Sequence, residues 1–377
     1  MQTVSSTLTE YISPPSIAET LLQLNTAIST ELAPLVPDID LRGEYPRAFM
    51  HRLGALGGFA QAVSPEFGGT GNGLRAAVQV IEAISAECLC TGFMTWCQVA
   101  CTWYMQNSNN HYLRQQILPQ VATGQRLGGT GLSNPMKHFA GIEKIALIAE
   151  RSSGGYVLNG MLPWVSNVGA GHYFGIAAQL SDSNEYLMAI VSDELEGLTL
   201  RQNAHFIALE GSNTYSCVFR NVFVADEFIL AAPCTTYVNR IRPGFILTQV
   251  GMGLGLTASC LEIMARSNHR YGHVNCFLDD RVDNLTEELE LARQKTYTLA
   301  DEITGATEVD RTHLKAIIQA RITASDLSLR AANAAMLHTG ARGYLYGAKV
   351  ERKLRESYFV AIVTPALKHL KKMLHEL

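Results

Sequence analysis

The sequence predicts an α+β protein in which one β region separates two helical regions. From about residue 16 to 125, and again from residue 243 onward, apolar residues recur near the 3.6-residue period of an α-helix. Between about 127 and 231 the apolar runs are short or alternating and are punctuated by Gly, Asn, Ser and Asp. This order is not the βαβ alternation of a dinucleotide-binding sheet, and no GxGxxG follows a predicted strand.

The N-terminal region, residues 1–125, is predicted to be a helical domain. Leucines at 21, 22, 24 and 32, then Met50, Leu53 and Leu56, follow the helical period. After a turn at 65–69, the apolar run 74–104 is long enough for two helices.

The middle region, residues 126–232, is predicted to be an antiparallel β domain. The candidate strands are 144–149, 156–158, 174–179, 186–191 and 215–219.

The C-terminal region, residues 233–377, is predicted to be a helical bundle. Its helical segments are 244–270, 281–304, 308–337 and 347–374. The glycines at 251, 253 and 255 lie inside the first of these segments, so we interpret them as sites of close helix packing rather than as a phosphate loop.

Composition excludes several classes of protein. The net charge of −4 and a pI near 6.3 argue against a nucleic-acid-binding protein. We find no apolar run of 18 residues and no N-terminal export signal, which predicts a cytoplasmic protein without a membrane segment. With 47% hydrophobic and 17% charged residues, part of the surface is expected to be buried between subunits. Cys88, Cys90, Cys97 and Cys101 lack the spacing of a metal site and are expected to pack in the core.

Seven segments, in order along the chain, resemble motifs of the acyl-CoA dehydrogenase family. They are VSPEFGG at 63–69, YLRQQILP at 112–119 through Gly124, LSNP at 132–135, YVLNG at 156–160 with WVSN at 164–167, LEGSNT at 209–214 through 225, GARGY at 340–344 and VERKLRE at 350–356. Each segment is weak evidence alone, but seven in order cover nearly the whole chain.

The resemblance implies a fold and a class of reaction. The fold is an N-terminal helical domain, a middle antiparallel β-barrel-like domain and a C-terminal four-helix bundle. The reaction is flavin-dependent oxidation of an acyl thioester, either acyl-CoA or an acyl group on a carrier protein. FAD is the implied cofactor, with FMN as the alternative. The implied partners are an electron-transfer flavoprotein and further copies of the chain in a homodimer or homotetramer.

The resemblance also identifies candidate cofactor-binding residues. The backbone of Leu132 and Ser133, with the Ser133 hydroxyl, should meet the pyrimidine edge of the flavin. Trp164 should pack beside the ring, and the Ser166 hydroxyl should reach the N5–O4 edge. Without the flanking motifs, this Trp-x-Ser would be interpreted as core packing and a turn.

The expected diphosphate contacts depart from the family pattern. Asn268 replaces an arginine, which leaves Arg270 or Arg266 as possible substitutes on the same helix. His138, Phe139 and Ala140 replace small hydrogen-bonding residues, and Leu337 replaces a glutamine three residues before Gly340, itself a candidate contact. The pattern predicts either weaker FAD binding or use of a diffusible reduced flavin.

The catalytic carboxylate of the family is missing from both of its usual places. α,β-Dehydrogenation needs a base that removes the α-proton while hydride leaves the β-carbon. The usual glutamate position is occupied by Thr364, and the alternative position by Phe245. A threonine hydroxyl is too weak a base at neutral pH. Glu87 and His138 are weaker candidates, and for each of them packing or surface exposure is the favoured explanation.

The same resemblance to the family suggests roles for two further sets of residues. Glu356 is expected to pair with Arg355 in a structural ion pair. Residues predicted to line the acyl pocket are Trp96, Trp103, Tyr104, Val363 and Thr364; the aromatic ones would also be explained by core packing.

Three functional hypotheses remain from the sequence. The first is an acyl thioester dehydrogenase with a relocated base. The second is a flavin monooxygenase on the same scaffold, which needs no α-proton base. The third is a catalytically silent subunit that pairs with an active paralogue.

Overall fold

The computed structural model describes residues 15–202, 204–306 and 308–377. The N-terminal region is helical, and its first helix begins with a capping box in which Ser16 and Glu19 satisfy each other's backbone N–H groups. Cys88 adopts an extended backbone, so the run 74–104 forms two helices, as predicted. The helices are α1 Ile17–Ala27, α2 Val36–Leu41, α3 Arg47–Ala55, α4 Gly73–Glu87, α5 Leu89–Gln106 and α6 Leu118–Ala122.

The middle region forms one eight-stranded, mostly antiparallel sheet. Seven strands follow the order β6-β7-β3-β2-β4-β5-β8, and β1 adds to β4 in parallel. The strands are β1 Gly128–Thr130, β2 Leu147–Ser152, β3 Gly155–Val165, β4 Tyr173–Leu180, β5 Tyr186–Ser192, β6 Leu198–Arg201, β7 Tyr215–Ala225 and β8 Ile229–Ala231.

The sequence missed four elements of this region. β1, β6 and β8 have only three or four residues, too few to show an alternating pattern. A short helix, α7 Ser133–Phe139, interrupts the predicted β region directly after β1. Its length of seven residues, about two turns, falls below the length at which helical periodicity can be recognised.

The described residues of the C-terminal region form six α-helices where four segments were predicted. They are α8 Thr235–Thr248, α9 Val250–Asn275, α10 Val282–Ile303, α11 Arg311–Thr339, α12 Lys349–Ile362 and α13 Leu367–Glu376. The predicted segment 347–374 is wrong in one respect, because Pro365 divides it. Proline disfavours helical backbone at the preceding residue, so Val363 and Thr364 lie in a short connection between α12 and α13.

Two hydrophobic cores hold the molecule together. The larger core joins the N-terminal and C-terminal helices and includes residues of both regions, such as Leu53 and Leu254. The smaller core lies within the sheet, around Leu158, Phe174 and Phe219. The predicted α+β class, with helical regions on either side of a β region, is confirmed.

The glycines of α9 pack against neighbouring helices, as predicted. A Cβ atom on Gly251 would come within 2.6 Å of the Val78 carbonyl oxygen of α4, and one on Gly253 within 2.7 Å of the Ala324 carbonyl oxygen of α11. One on Gly255 would lie 2.1 Å from the Glu82 carbonyl oxygen. These distances are shorter than a Cβ tolerates, so the glycines set the helix separation.

The chain's most apolar helical stretch lies inside this core. Residues Thr235–Asn275 are long and apolar enough to pass for a membrane span, but 94% of the most apolar window is buried within the protein. The clustered cysteines at 88, 90, 97 and 101 are also buried, which confirms their expected place in the core.

Candidate active site

A cavity of about 380 Å³ lies where the sheet meets the helical core. It is lined by α5, the end of β1, α7, the end of β3, the loop 206–214, helix α8, and the end of α12 with the α12–α13 connection. The lining residues are Phe93, Trp96, Thr130, Ser133, Lys137, Trp164, Ser166, Phe206, Ala208, Leu209, Ser212, Thr214, Phe245, Phe359, Ile362, Val363 and Thr364.

One wall of the cavity carries a row of hydroxyl groups. Thr130 and Ser166 face each other across a β-bridge in which each N–H donates to the other's carbonyl oxygen at 3.2 Å. The Thr214 hydroxyl donates to Ser166 Oγ at 2.9 Å, and Ser212 Oγ lies 2.9 Å from Thr214 Oγ1. Because Ser166 accepts in this chain, its own proton stays available for a ligand.

The opposite wall is aromatic. Trp96 stacks on Phe93 with ring centroids 5.9 Å apart and meets Phe245 edge-to-face at 4.9 Å. Its indole N–H donates to Thr248 Oγ1 at 3.2 Å, so the ring is fixed in orientation. Phe359 closes the group against Phe93 at 4.6 Å. Such a wall excludes water from a bound apolar group.

The two remaining aromatic residues predicted for the pocket lie elsewhere. Tyr104 sits behind the wall: its hydroxyl is 2.8 Å from Thr130 Oγ1, and its ring stacks on Phe245 at 6.2 Å. Trp103 does not line this cavity. Its indole donates to the Ile241 carbonyl at 3.0 Å and borders a separate groove on the other side of α8.

Thr364, at the usual glutamate position, is held from both sides. Its Oγ1 lies 3.0 Å from Ser133 Oγ, and its carbonyl oxygen accepts from Gln249 Nε2 at 2.9 Å. Val363 and Phe245, the alternative position for the base, also line the cavity. The two alternative positions for a catalytic carboxylate therefore meet at one cavity, and neither carries an acid.

No carboxylate is present among the described residues that line the cavity. The only ionisable side chain there is Lys137, one helical turn after Ser133 on α7. Lys137 Nζ pairs with Glu143 at 2.9 Å on the exposed side of the helix. The site therefore holds a cation, aromatic rings and hydroxyl groups, but no group that could take a proton near neutral pH.

The weaker base candidates have structural partners and lie outside the cavity lining. Glu87 pairs with Lys349 at 3.2 Å and lies 3.9 Å from Arg352. His138 places Nε2 2.8 Å from the Tyr186 hydroxyl, and its Nδ1 accepts from the Ile145 N–H at 3.1 Å. Both therefore have a packing role.

Glu356 is buried and forms ion pairs, as predicted, but the prediction that Arg355 is its partner is wrong. Lys353 Nζ lies 3.0 Å from its Oε2 and Arg352 Nη1 3.6 Å from its Oε1. Arg355 instead pairs with Asp40 at 2.7 Å and with Glu351 at 2.5 Å. Adjacent residues on a helix, such as Arg355 and Glu356, face different ways, whereas residues three or four apart share a face, so sequence adjacency misled the assignment.

The predicted cofactor contacts fall into two groups. Ser133, Trp164 and Ser166 line the cavity, and buried Leu132 directly precedes Ser133. Arg270 and Gly340 lie near the far ends of α9 and α11, where Asn268 Oδ1 meets His338 Nδ1 at 3.1 Å. Arg270 is 21 residues beyond Gln249, a distance of roughly 30 Å along the helix. Their cofactor contacts stay a prediction.

A second cavity, of about 240 Å³, is lined by Met136 and Phe139 of α7, by Arg242 of α8 and by His369 of α13, among others. Helices α7 and α8 also contribute residues to the first cavity. Buried Arg242 Nε and His369 Nδ1 have no hydrogen-bond partner among the described residues. Burial lowers the pKa of His369 to about 4, so its ring is neutral near neutral pH.

Sequence reasoning missed several residues of the site, among them Phe93, Thr130, Lys137, Phe206, Thr214 and Phe359. Lys137 and Phe206 carry no motif of their own, and Gln249 lies in an apolar helical run. Gln249 and Arg321 are polar residues on helix faces that are otherwise buried and apolar. A polar residue in such a position can be recognised in the sequence and could have indicated these two.

The residues of the first cavity fit a flavin ring. A flat, partly apolar ring with acceptors along one edge needs donors on one wall and an apolar cover. Ser166 supplies a free hydroxyl proton, Ser133 a second hydroxyl, and Trp164, 43% exposed beside Phe206, an indole at the rim.

Known proteins resemble this chain in sequence and in fold. The N-terminal domain of acyl-CoA dehydrogenases matches residues 21–125. A probable acyl-CoA dehydrogenase, YngJ of Bacillus subtilis (strain 168), is 25% identical over 88% of this chain and 90% of its own. Benzylmalonyl-CoA dehydrogenase of Aromatoleum aromaticum (strain DSM 19018 / LMG 30748 / EbN1) is 22% identical over 88% and 89%. A glutaryl-coenzyme A dehydrogenase in complex with glutaryl-CoA shares the fold, with a TM-score of 0.85, 20% identity and coverage of 99% and 96%.

Proposed function

Because the chain belongs to the acyl-CoA dehydrogenase family, we propose that it oxidises the acyl group of a thioester with a bound flavin, which we expect to be FAD. The observation that carries this proposal is one cavity with a hydroxyl-bearing wall, an aromatic wall and Thr364 between them. Members of this family are flavoenzymes, so the family indicates the kind of reaction. It does not specify which acyl group is oxidised.

The hydroxyl-bearing wall would hold the flavin. Ser166 would donate to one edge of the ring and Ser133 to another, while Trp164 covers the ring at the rim of the cavity. When bound, the flavin would supply the acceptor for the hydride that leaves the β-carbon. The α-proton would pass to a relocated base that is not among the described lining residues of the cavity.

The aromatic wall would orient the acyl group. Phe93, Trp96, Phe245 and Phe359 leave an apolar space beside Thr364 that excludes water from the reacting carbons. A bulky or aromatic acyl group would complement these rings better than a short straight chain.

The second cavity would hold the thiol part of the thioester, whether CoA or the prosthetic arm of a carrier protein. Helices α7 and α8 contribute residues to both cavities, so we infer that a linear substrate would extend from the first cavity toward the second. Arg242 and His369 present buried nitrogens without partners, and amide or phosphate oxygens of such an arm would satisfy them.

A second candidate function is a flavin monooxygenase on the same scaffold. It is favoured by one observation: no carboxylate is present among the described residues that line the cavity. Such an enzyme needs no group to remove an α-proton, whereas a dehydrogenase of an unactivated thioester does.

Anaerobic reduction of the flavin across a panel of acyl-CoA and acyl-carrier thioesters tests the proposal. The absorbance band of oxidised flavin should bleach with at least one thioester, and an electron-transfer flavoprotein should restore it. Bleaching by no thioester would contradict the proposal.

The same preparation separates the alternatives. Oxygen-dependent turnover after chemical reduction of the flavin would favour the monooxygenase. A chain that binds flavin only when co-expressed with a related chain would favour a silent subunit.

A further inference from the structure

A completely buried arginine lies behind the wall that carries Thr364. Arg321, on α11, has 0% of its surface exposed, and no carboxylate pairs with it among the described residues. Its guanidinium donates only to neutral acceptors: Gln249 Oε1 at 3.1 Å, the Val360 carbonyl oxygen at 2.5 Å and the Ser325 hydroxyl. Burial lowers its pKa to about 10, so it remains a cation near neutral pH. Burying a charge costs desolvation free energy, so we looked for a function of this arginine in the contacts that it makes.

Gln249 connects this cation to the cavity. It is also completely buried, and its two amide atoms face different partners. Because Arg321 can only donate, the amide oxygen must face it, and the amide N–H group must face the Thr364 carbonyl oxygen at 2.9 Å. The arginine therefore fixes which way the glutamine points.

The last link is the α12–α13 connection itself. The Val360 carbonyl, which Arg321 also holds, lies in the last turn of α12, four residues before Thr364. Thr364 in turn places its hydroxyl 3.0 Å from Ser133 Oγ at the cavity. Arg321 thus holds both ends of the 360–364 segment, one directly and one through Gln249.

We propose that Arg321 and Gln249 are positioning residues that hold the 360–364 segment so that Val363 and Thr364 shape the acyl pocket. Neither side chain touches the substrate. Both act through the backbone of the segment, and their effect belongs to substrate binding. The part of this proposal that concerns binding rests on the proposed oxidation of a thioester, whereas the part that concerns the segment does not.

The substitution Gln249→Glu separates positioning from stability. A carboxylate of the same shape would pair with Arg321 and keep the buried cation satisfied, but it could not donate to the Thr364 carbonyl oxygen. The flavin-loaded variant should therefore unfold at the same temperature as the wild type or higher. Its peptides covering 360–367 should exchange amide hydrogens about tenfold faster, since one anchoring hydrogen bond is lost.

The variant Gln61→Glu is the matched control. Gln61 is buried and its amide donates to the Gly57 carbonyl oxygen at 2.7 Å, but it lies in the N-terminal domain, outside the lining of both cavities. This control should lose stability without changing exchange in 360–367. Unchanged exchange in that segment in Gln249→Glu would overturn the proposal.

A kinetic measurement tests the binding part. With the thioester that reduces the wild-type flavin fastest, Gln249→Glu should raise KM about tenfold while kcat changes much less. The control should leave both unchanged. An unchanged KM in Gln249→Glu would limit the two residues to a structural role and overturn the proposal. If no thioester reduces the wild-type flavin, the proposed function fails, and the exchange experiment still decides whether Arg321 and Gln249 hold the segment.

Discussion

At the scale of single residues, the site is defined by what stands at position 364. Thr364 occupies a place where its hydroxyl meets Ser133 and its carbonyl meets Gln249, so the side chain points to the cavity and the backbone away from it. The position is therefore geometrically ready for a longer acidic side chain, although the native residue is not a base.

The substitution Thr364→Glu should create or raise dehydrogenase activity. Beside Phe245 and Phe359, the apolar surroundings should raise the pKa of the new carboxyl toward the range of a useful base. A positioned general base contributes ~10²–10⁴-fold, so anaerobic flavin reduction by a thioester should accelerate by at least about 100-fold.

Thr364→Gln is the control for this prediction, because it has the same shape but cannot accept the proton. Stopped-flow absorbance of the flavin measures both variants. A folded, flavin-bound Thr364→Glu enzyme that reacts no faster than Thr364→Gln would show that the pocket does not align an α-proton with this position.

At the scale of secondary-structure elements, the site depends on how closely α9 packs between α4 and α11. Gln249 stands at the start of α9 and Arg321 on α11, and they can meet at 3.1 Å only because glycines bring the helices together. The same packing places α8, and with it Phe245, against the cavity.

Replacing Gly255 with alanine should destabilise the protein. The new Cβ would lie 2.1 Å from the Glu82 carbonyl oxygen, which is backbone and cannot move aside cheaply. Overpacking of this kind costs ~1–3 kcal/mol of unfolding free energy.

Gly272, on the same helix, provides the control. Its nearest neighbour to a new Cβ is 3.9 Å away, so Gly272→Ala should be neutral or stabilise by up to ~1 kcal/mol through helix propensity. Urea unfolding measures both variants. Equal stability of Gly255→Ala and the wild type would contradict the assigned role of the α9 glycines.

At the scale of the whole molecule, an ion cluster ties α12 to the N-terminal helices. Lys353 is completely buried, and its Nζ donates to the Ser85 and Glu87 carbonyl oxygens at 3.2 Å. Glu356 accepts from the Leu89 N–H at 3.3 Å. The break between α4 and α5 is thus joined to the helix that leads into the Thr364 segment.

The substitution Glu356→Gln should weaken the whole fold. It leaves the charges of Lys353 and Arg352 without their shared carboxylate, and breaking a buried ion pair costs about 3–5 kcal/mol. The double variant Lys353→Met with Glu356→Leu should recover part of this loss, because no lysine charge remains to be paired. Thermal and urea unfolding provide the measurement.

An exposed ion pair supplies the comparison for that experiment. Arg330 and Glu288 lie 2.7 Å apart with 46% and 44% of their side chains exposed, so Glu288→Gln should cost ~1 kcal/mol or less. If Glu356→Gln costs no more than Glu288→Gln, the cluster does not hold the two helical regions together.

The sequence by itself determined the order of helical and β regions, the buried cysteines and the packing role of the α9 glycines. It also indicated Ser133, Trp164, Ser166, Phe245 and Thr364 as residues of one site. Each of these predictions depends on local periodicity, residue size or a motif, and these are properties of residues that are close together in the sequence. Even the division of the last helix was foreseeable, since Pro365 excludes helical backbone before it.

Only the tertiary structure decided which groups face which. It separated Trp103 from the pocket, moved Glu356 from Arg355 to Lys353, and brought Arg321 to Gln249 across 72 residues of sequence. Hydrogen bonds between distant side chains depend on helix rotation and separation, which no local pattern encodes. For the same reason, the sequence could say that the usual base is missing, but only the packed helices show that no described side chain lining the cavity takes its place.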